Sequence, residues 1–97
     1  NLGGNEWEYV KECLDTNWVS SVGSYVTRFE EELAKYVGAG FGVATSNGTS
    51  ALHVAMKVCG VTSDDYVIVP NLTFIASPNS VVYNGSTPIF LDVNRND

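Results

Sequence analysis

One short run of small donor residues has the types and spacing that bind an anion: Thr45-Ser46-Asn47-Gly48-Thr49-Ser50 follows an apolar segment and opens a helical pattern. The first N–H groups of a helix lack intrahelical acceptors and lie at the positive end of its dipole, so such a turn can bind a phosphate group. Gly48 would allow close approach, and the Thr49 and Ser50 hydroxyls could donate to the ligand. Ser46 or Asn47 could equally be an ordinary N-cap, so the run alone does not decide between these alternatives.

A second run, Pro70-Asn71-Leu72-Thr73-Phe74-Ile75-Ala76-Ser77, follows the next apolar strand pattern. It places the aromatic ring of Phe74 at the same sheet edge, and an aromatic face beside a phosphate site suits a flat heteroaromatic cofactor by offset stacking. The alternatives are that Phe74 is a core residue and Thr73 a helix cap. The lysine of a Walker loop and the GxGxxG dinucleotide pattern are both absent, so neither of those phosphate-binding classes applies.

The elements that must position these runs alternate between helix and strand. Apolar spacing, caps and terminating glycines predict helices at 5–14, with Asn5 as a cap, at 26–37, ended by Gly38, and at 48–59; strands at 41–45, 66–69 and 89–93; and a further helix ended by Asn84-Gly85. Continuous apolar strands joined by helices indicate the α/β class, with a mostly parallel sheet covered by helices on both faces. Ligands of such sheets bind beyond the carboxyl ends of the strands, where both runs lie.

Pro78 conflicts with a helix that begins at Thr73, because proline cannot donate a hydrogen bond to the carbonyl group four residues earlier. Either Ser77 is the cap and Pro78 the first helical residue, or the first turn is distorted. The pose of Phe74 depends on which alternative holds.

Composition limits the function classes. With 97 residues the chain has room for one domain, and its net charge of −6 disfavours nucleic acid as a partner. No apolar run is long enough to span a membrane, and Cys13 and Cys59 have no disulfide or metal spacing, so we expect buried free thiols and a cytoplasmic setting. His53 has no readable nucleophile or metal partner, so we assign no metal site and no catalytic residue. The chain begins with Asn1 and stops at Asp97, which suggests part of a longer protein.

The order of several segments resembles the start of the DegT/DnrJ/EryC1/StrS sugar aminotransferases. The matching segments span nearly all of residues 1–97, and the most specific are Gly48-Thr49-Ser50-Ala51-Leu52-His53 and Val67-Ile68-Val69-Pro70 followed by Thr73-Phe74. The resemblance implies the N-terminal part of the large, cofactor-binding domain of a fold-type I pyridoxal 5'-phosphate enzyme. Such an enzyme is normally a homodimer that transfers an amino group from glutamate to a keto group of a nucleotide-linked sugar.

Site residues follow from the same resemblance. Thr49 and Ser50 would hold the cofactor phosphate, Gly48 would permit its approach, and Phe74 would stack on the pyridine ring. In the loop from Trp18 to Gly23, the substrate contacts would be Ser20, Ser21 and Gly23, although a plain interhelical connection is an equal alternative there.

The lysine that forms the Schiff base in this family has no counterpart in the matched region, and neither has the aspartate that pairs with the pyridine nitrogen. Lys11, Lys35 and Lys57 lie in helix patterns matched to no such role, so we expect the 97 residues alone to be inactive. Two other functions remain open: a pyridoxal phosphate sugar dehydratase, and a non-catalytic α/β module that binds a nucleotide or another phosphate.

Overall fold

The computed structural model describes residues 3–94 and divides the chain into two compact units, Asn1–Ala44 and Thr45–Asp97. The first unit contains the helices α1 (Glu6–Asp15) and α2 (Ser24–Val37). The second contains α3 (Gly48–Val58), β1 (Tyr66–Pro70), α4 (Ala76–Tyr83) and β2 (Thr87–Leu91). The alternation of strands and helices predicted for the second half of the sequence is therefore confirmed.

Helix termini in the first unit follow the sequence in part. Asn5 does precede α1, but its side chain accepts no hydrogen bond from the first turn, so its predicted capping role is wrong. The end of α2 is as predicted: Gly38 has a left-handed φ of 70°, and the next N–H, that of Ala39, donates to the Ala34 carbonyl at 2.9 Å. The rings of Tyr9 and Tyr25, one from each helix, lie 5.1 Å apart between centroids.

The strand predicted at 41–45 does not form. A strand requires a ladder of backbone hydrogen bonds to a neighbour, whereas the Ala44 N–H donates to the carboxylate of Glu30 at 2.7 Å. Phe41, which the strand pattern treats as buried, is 94% exposed. The segment instead passes close to α2, because a Cβ added at Gly42 would lie 2.5 Å from the backbone oxygen of Glu30.

The strands β1 and β2 pair in parallel, with Tyr66 opposite Thr87 and Pro70 opposite Leu91. This confirms the predicted parallel sheet, although β2 begins and ends two residues earlier than the predicted 89–93. Together β1, α4 and β2 form a βαβ unit, the arrangement that parallel strands require.

The core of the second unit lies where α4 packs against both strands and against α3. Val81 of α4 is fully buried and Val69 of β1 is 5% exposed. Tyr66 and Ile68, which alternate with Val67 and Val69 along β1, are exposed. Among the helices of residues 3–94, α4 is the one that contacts the strands, and Tyr66 and Ile68 stay exposed, so the predicted cover on both faces is not observed there.

Candidate functional site

Asn47 is the N-cap of α3, the helix that follows the first candidate loop. Its backbone is extended, and its side-chain Oδ1 accepts from the Ser50 N–H at 2.9 Å, which is the geometry of an N-cap. The Asn47 carbonyl accepts from the Ala51 N–H at 3.1 Å and from the Thr45 hydroxyl at 3.0 Å. These bonds hold the turn between Thr45 and Ala51 in one conformation.

The cap leaves two donors of the first turn unpaired. In the part of the chain that the structure describes, the N–H groups of Gly48 and Thr49 have no hydrogen-bond acceptor. Open space surrounds Gly48, since a Cβ added there would meet no atom within 4 Å. Thr49 and Ser50 are half-buried beside it. Two free N–H groups, two hydroxyls and open space fit a phosphate group.

No charged side chain contributes to this loop. The carboxyl and basic groups whose pKa values are clearly shifted lie elsewhere, as Asp65 illustrates: its carboxylate accepts from the Thr62 N–H at 2.7 Å and from the Thr62 hydroxyl at 2.9 Å. These bonds lower the pKa of Asp65 and close the turn that precedes β1. A phosphate at 45–50 would therefore be bound by neutral donors and the dipole of α3.

The second candidate loop presents an exposed aromatic ring. Phe74 is 78% exposed, and its carbonyl accepts from the Ser77 N–H at 3.1 Å. The Thr73 and Ser77 hydroxyl oxygens lie 3.3 Å apart and close the same turn. A ring held on a fixed turn, with little of its surface packed, is available for stacking on a ligand.

Pro78 lies inside α4, as its third residue, so the prediction that Ser77 caps and Pro78 starts the helix is wrong. The helix begins at Ala76, and in its first turn the Ser77 N–H donates to the Phe74 carbonyl three residues earlier. Because the Phe74 carbonyl already accepts from Ser77, the N–H that proline lacks leaves no acceptor unpaired. Pro78 is itself buried, which gives it a packing role in the core.

The two loops open helices that lie side by side. Leu52 and Met56 of α3 line one cavity together with Ser77 and Ser80 of α4, so the two helices pack against each other. No hydrogen bond joins residues 45–50 to residues 71–75 in the described structure.

The residues predicted to contact substrate belong to the first unit. Ser20 and Ser21 are exposed, and the Ser20 hydroxyl accepts from the Val22 N–H at 3.3 Å. Gly23 packs against the Trp18 ring, because a Cβ at Gly23 would lie 2.3 Å from the indole Nε1. The loop is therefore shaped by a glycine–tryptophan contact that the sequence pattern did not predict.

The three lysines and the single histidine lie on helices, outside the two candidate loops. Lys11 pairs with Asp15 on α1, while Lys35 and Lys57 lie in the last turns of α2 and α3. The ring of His53 lies 6.2 Å from that of Tyr83 between centroids, across the α3–α4 contact. Residues 3–94 contain no group of carboxylates, cysteines and histidine that could hold a metal ion.

The structure also bears on the state of the two cysteines and on membrane-spanning helices. Cys13 and Cys59 are free, as predicted, but Cys13 is half-buried and Cys59 exposed, so their predicted burial is wrong. Helices long and apolar enough to cross a membrane are absent from the described part of the chain.

The chain is similar over most of its length to curated proteins named GDP-perosamine synthase. The GDP-perosamine synthases of Caulobacter vibrioides and Escherichia coli O157:H7 are 52% and 49% identical to it over 91 and 92 residues. These matches cover 94% and 95% of this chain but 24% and 25% of the relatives, so the chain spans about a quarter of their length.

Solved structures agree. The aminotransferase from Psychrobacter cryohalolentis matches with a TM-score of 0.89 at 38% identity, over 97% of this chain and 24% of its own. The structure of ntda from Bacillus subtilis with bound cofactor PMP matches with a TM-score of 0.82 at 34% identity, over 91% of this chain and 20% of its own. The family model described as the DegT/DnrJ/EryC1/StrS aminotransferase family matches residues 1–97. The chain belongs to the DegT/DnrJ/EryC1/StrS aminotransferase family.

Proposed function

We propose that residues 1–97 are the N-terminal part of the large domain of a pyridoxal 5'-phosphate aminotransferase that acts on a nucleotide-linked keto sugar. The observation that supports the proposal is the first turn of α3 in a chain of this family: the Gly48 and Thr49 N–H groups have no acceptor in the described structure, and a Cβ added at Gly48 would meet open space. The GDP-perosamine synthase relatives favour a GDP-linked sugar as the substrate. Glutamate is the amino donor that we propose.

The cofactor, when bound, supplies an electron sink for amino-group transfer. The residues of this chain bind and orient it: the Gly48 and Thr49 N–H groups and the Thr49 and Ser50 hydroxyls hold the phosphate, and Phe74 stacks on the ring. In this proposal the sugar substrate is contacted by Ser20, Ser21 and Gly23. The lysine that bonds covalently to the cofactor is, in this proposal, none of Lys11, Lys35 and Lys57, so the 97 residues alone are inactive.

Two finer proposals concern the whole protein. It forms a homodimer, which light scattering of the purified protein would test by its mass. It works in the cytoplasm, where the free thiols of Cys13 and Cys59 would stay reduced.

The phosphate part of the proposal is tested by Thr49→Val in the whole protein, with Thr87→Val as the matched control. Thr49→Val keeps the branched shape and removes the hydroxyl, so we expect about tenfold weaker binding of pyridoxal phosphate, the value of one hydrogen bond to a charged group. Thr87 is exposed on β2, so its substitution leaves the affinity unchanged. Equal affinities in both variants would contradict phosphate binding at this turn.

The ring-stacking part is tested by Phe74→Leu and Phe74→Tyr. Because Phe74 is mostly exposed, neither change should alter the free energy of unfolding by more than about 0.5 kcal/mol. Phe74→Leu loses the aromatic face and weakens cofactor binding, whereas Phe74→Tyr keeps it. Competition by nucleotides, with no sign of bound pyridoxal phosphate, would instead support a nucleotide-binding module.

The reaction is tested by supplying the whole protein with a GDP-linked keto sugar and glutamate. The expected product is the amino sugar, formed with one equivalent of 2-oxoglutarate. Loss of a ring hydroxyl without amino transfer would assign a dehydratase instead.

A further inference from the structure

The amide of Asn47 is engaged at both ends. Its Oδ1 accepts from the Ser50 N–H at 2.9 Å, and its Nδ2 donates to the Ser46 hydroxyl oxygen at 3.2 Å. The Ser46 and Ser50 hydroxyl oxygens lie 3.5 Å apart and complete a small ring of polar contacts. An amide with distinct partners for its oxygen and its nitrogen has one favoured orientation.

This ring determines which donors of the turn remain for a ligand. The Ser50 N–H is used by Asn47, whereas the N–H groups of Gly48 and Thr49 are not paired in the described structure. Phosphate oxygens act as acceptors. If the Ser50 hydroxyl donates its one hydrogen to phosphate, its oxygen must be the acceptor in the contact with the Ser46 hydroxyl. Ser50 therefore offers its side chain and not its backbone.

We propose that Asn47 is a positioning residue for the cofactor phosphate. By holding Ser50 and Ser46, it fixes the turn so that the Gly48 and Thr49 N–H groups and the Ser50 hydroxyl point to one ligand. The inference rests on the proposed function, in which this turn binds the phosphate of pyridoxal phosphate. It adds a residue that acts through others and does not itself touch the ligand.

A purely structural cap is the rival explanation. Such a cap would stabilise α3 and would affect every ligand of the protein to the same extent. A positioning residue affects only ligands that carry the phosphate. Pyridoxal, which lacks the phosphate but keeps the ring, separates the two explanations.

The test measures the affinities of pyridoxal phosphate and of pyridoxal for the whole protein and three variants. We expect Asn47→Ala to weaken pyridoxal phosphate about tenfold and to leave pyridoxal within about twofold, since the removal of a cap is worth close to one factor of ten. Asn47→Ser, whose hydroxyl can accept from the same N–H, should recover most of the affinity. Asn5→Ala is the matched control, because Asn5 precedes α1 without a side-chain cap bond.

Three results would overturn the inference: no loss in Asn47→Ala, an equal loss for both ligands, or no recovery in Asn47→Ser. Thr49→Val distinguishes this failure from failure of the proposed function. If Thr49→Val weakens pyridoxal phosphate and Asn47→Ala does not, the positioning role alone is wrong. If neither variant changes the affinity, phosphate binding at this turn is wrong as well.

Discussion

Backbone and hydroxyl donors, not charged side chains, distinguish residues 45–50. A phosphate held by a lysine or arginine would gain long-range attraction, which salt screens. A phosphate held by fixed N–H groups gains direction instead, because each donor points along one line. The turn therefore suits a ligand that must be held in one orientation, and in the proposed function Phe74 is the surface on which its ring stacks.

Tyr25 of α2 donates a hydrogen bond to the carboxylate of Glu12 on α1, whose Oε2 lies 2.6 Å from the phenol oxygen. Donation to a carboxylate favours the neutral phenol and raises the pKa of Tyr25 to about 12. Because the pKa is raised on folding, the stabilisation is complete below the ordinary pKa of 10 and is lost as pH rises towards 12.

We predict that Tyr25 ionises near pH 12 in the folded protein, and that Glu12→Gln moves this step down towards 10. Phenolate absorbance during an alkaline titration measures it, with Tyr25→Phe identifying the step by its loss. Glu8→Gln removes the same charge from α1 at another position and should leave the step in place. A step unchanged by Glu12→Gln would contradict the assigned cause.

Single residues also show where sequence reasoning was sufficient. The small donors and glycine of residues 45–50 predicted a helix start, and Gly48 does begin α3. Which of Ser46 and Asn47 caps the helix could not be predicted, because both side chains can accept from the first turn. The contact of Gly23 with Trp18 was beyond prediction for another reason: it depends on a ring rotamer that no pattern encodes.

Elements with local causes were predicted better than elements with distant ones. Helices α2 and α3 end at Gly38 and just before Gly60, whose left-handed φ values of 70° and 80° are the property that marks glycine in the sequence. The strand predicted at 41–45 depended on a partner strand, which an apolar run cannot guarantee. The conflict that Pro78 posed is removed by Ser77, because the Ser77 N–H donates to the Phe74 carbonyl in place of the N–H that proline lacks.

Helix α4 provides a stability test with its own control, because Val81 is fully buried while its neighbour Val82 is 57% exposed. Val81→Ala removes buried methyl groups from the contact with the strands and leaves a cavity. We expect it to lower the free energy of unfolding by about 2 kcal/mol. Val82→Ala makes the same change in helix propensity at an exposed position, so we expect it to lower the free energy of unfolding by less than about 0.5 kcal/mol.

Urea unfolding of the two variants measures both values. The slope with denaturant should be unchanged, since neither substitution alters the surface exposed on unfolding. Equal losses in the two variants would mean that α4 does not pack through Val81.

At the scale of the whole molecule, family membership and the position of the lysines lead to one more expectation. The chain spans about a quarter of the length of its curated relatives. Its lysines lie on α1, near the end of α2 and at the end of α3. Lys57 lies in the last turn of α3, about 13 Å from the first turn at ~1.5 Å per residue. A lysine that reacts with the cofactor must reach its ring, and Lys57 lies at the opposite end of the helix from the proposed phosphate site.

We therefore predict that the whole protein with Lys11, Lys35 and Lys57 all changed to arginine still binds pyridoxal phosphate and still transfers amino groups at about the original rate. Borohydride reduction followed by peptide mapping should place the fixed cofactor on a peptide outside residues 1–97. Arginine keeps the charge and much of the length, so the Lys11–Asp15 ion pair survives the change. Cofactor fixed to any of the three lysines, or loss of turnover with the fold intact, would place the reacting lysine in this chain and contradict the proposed division of roles.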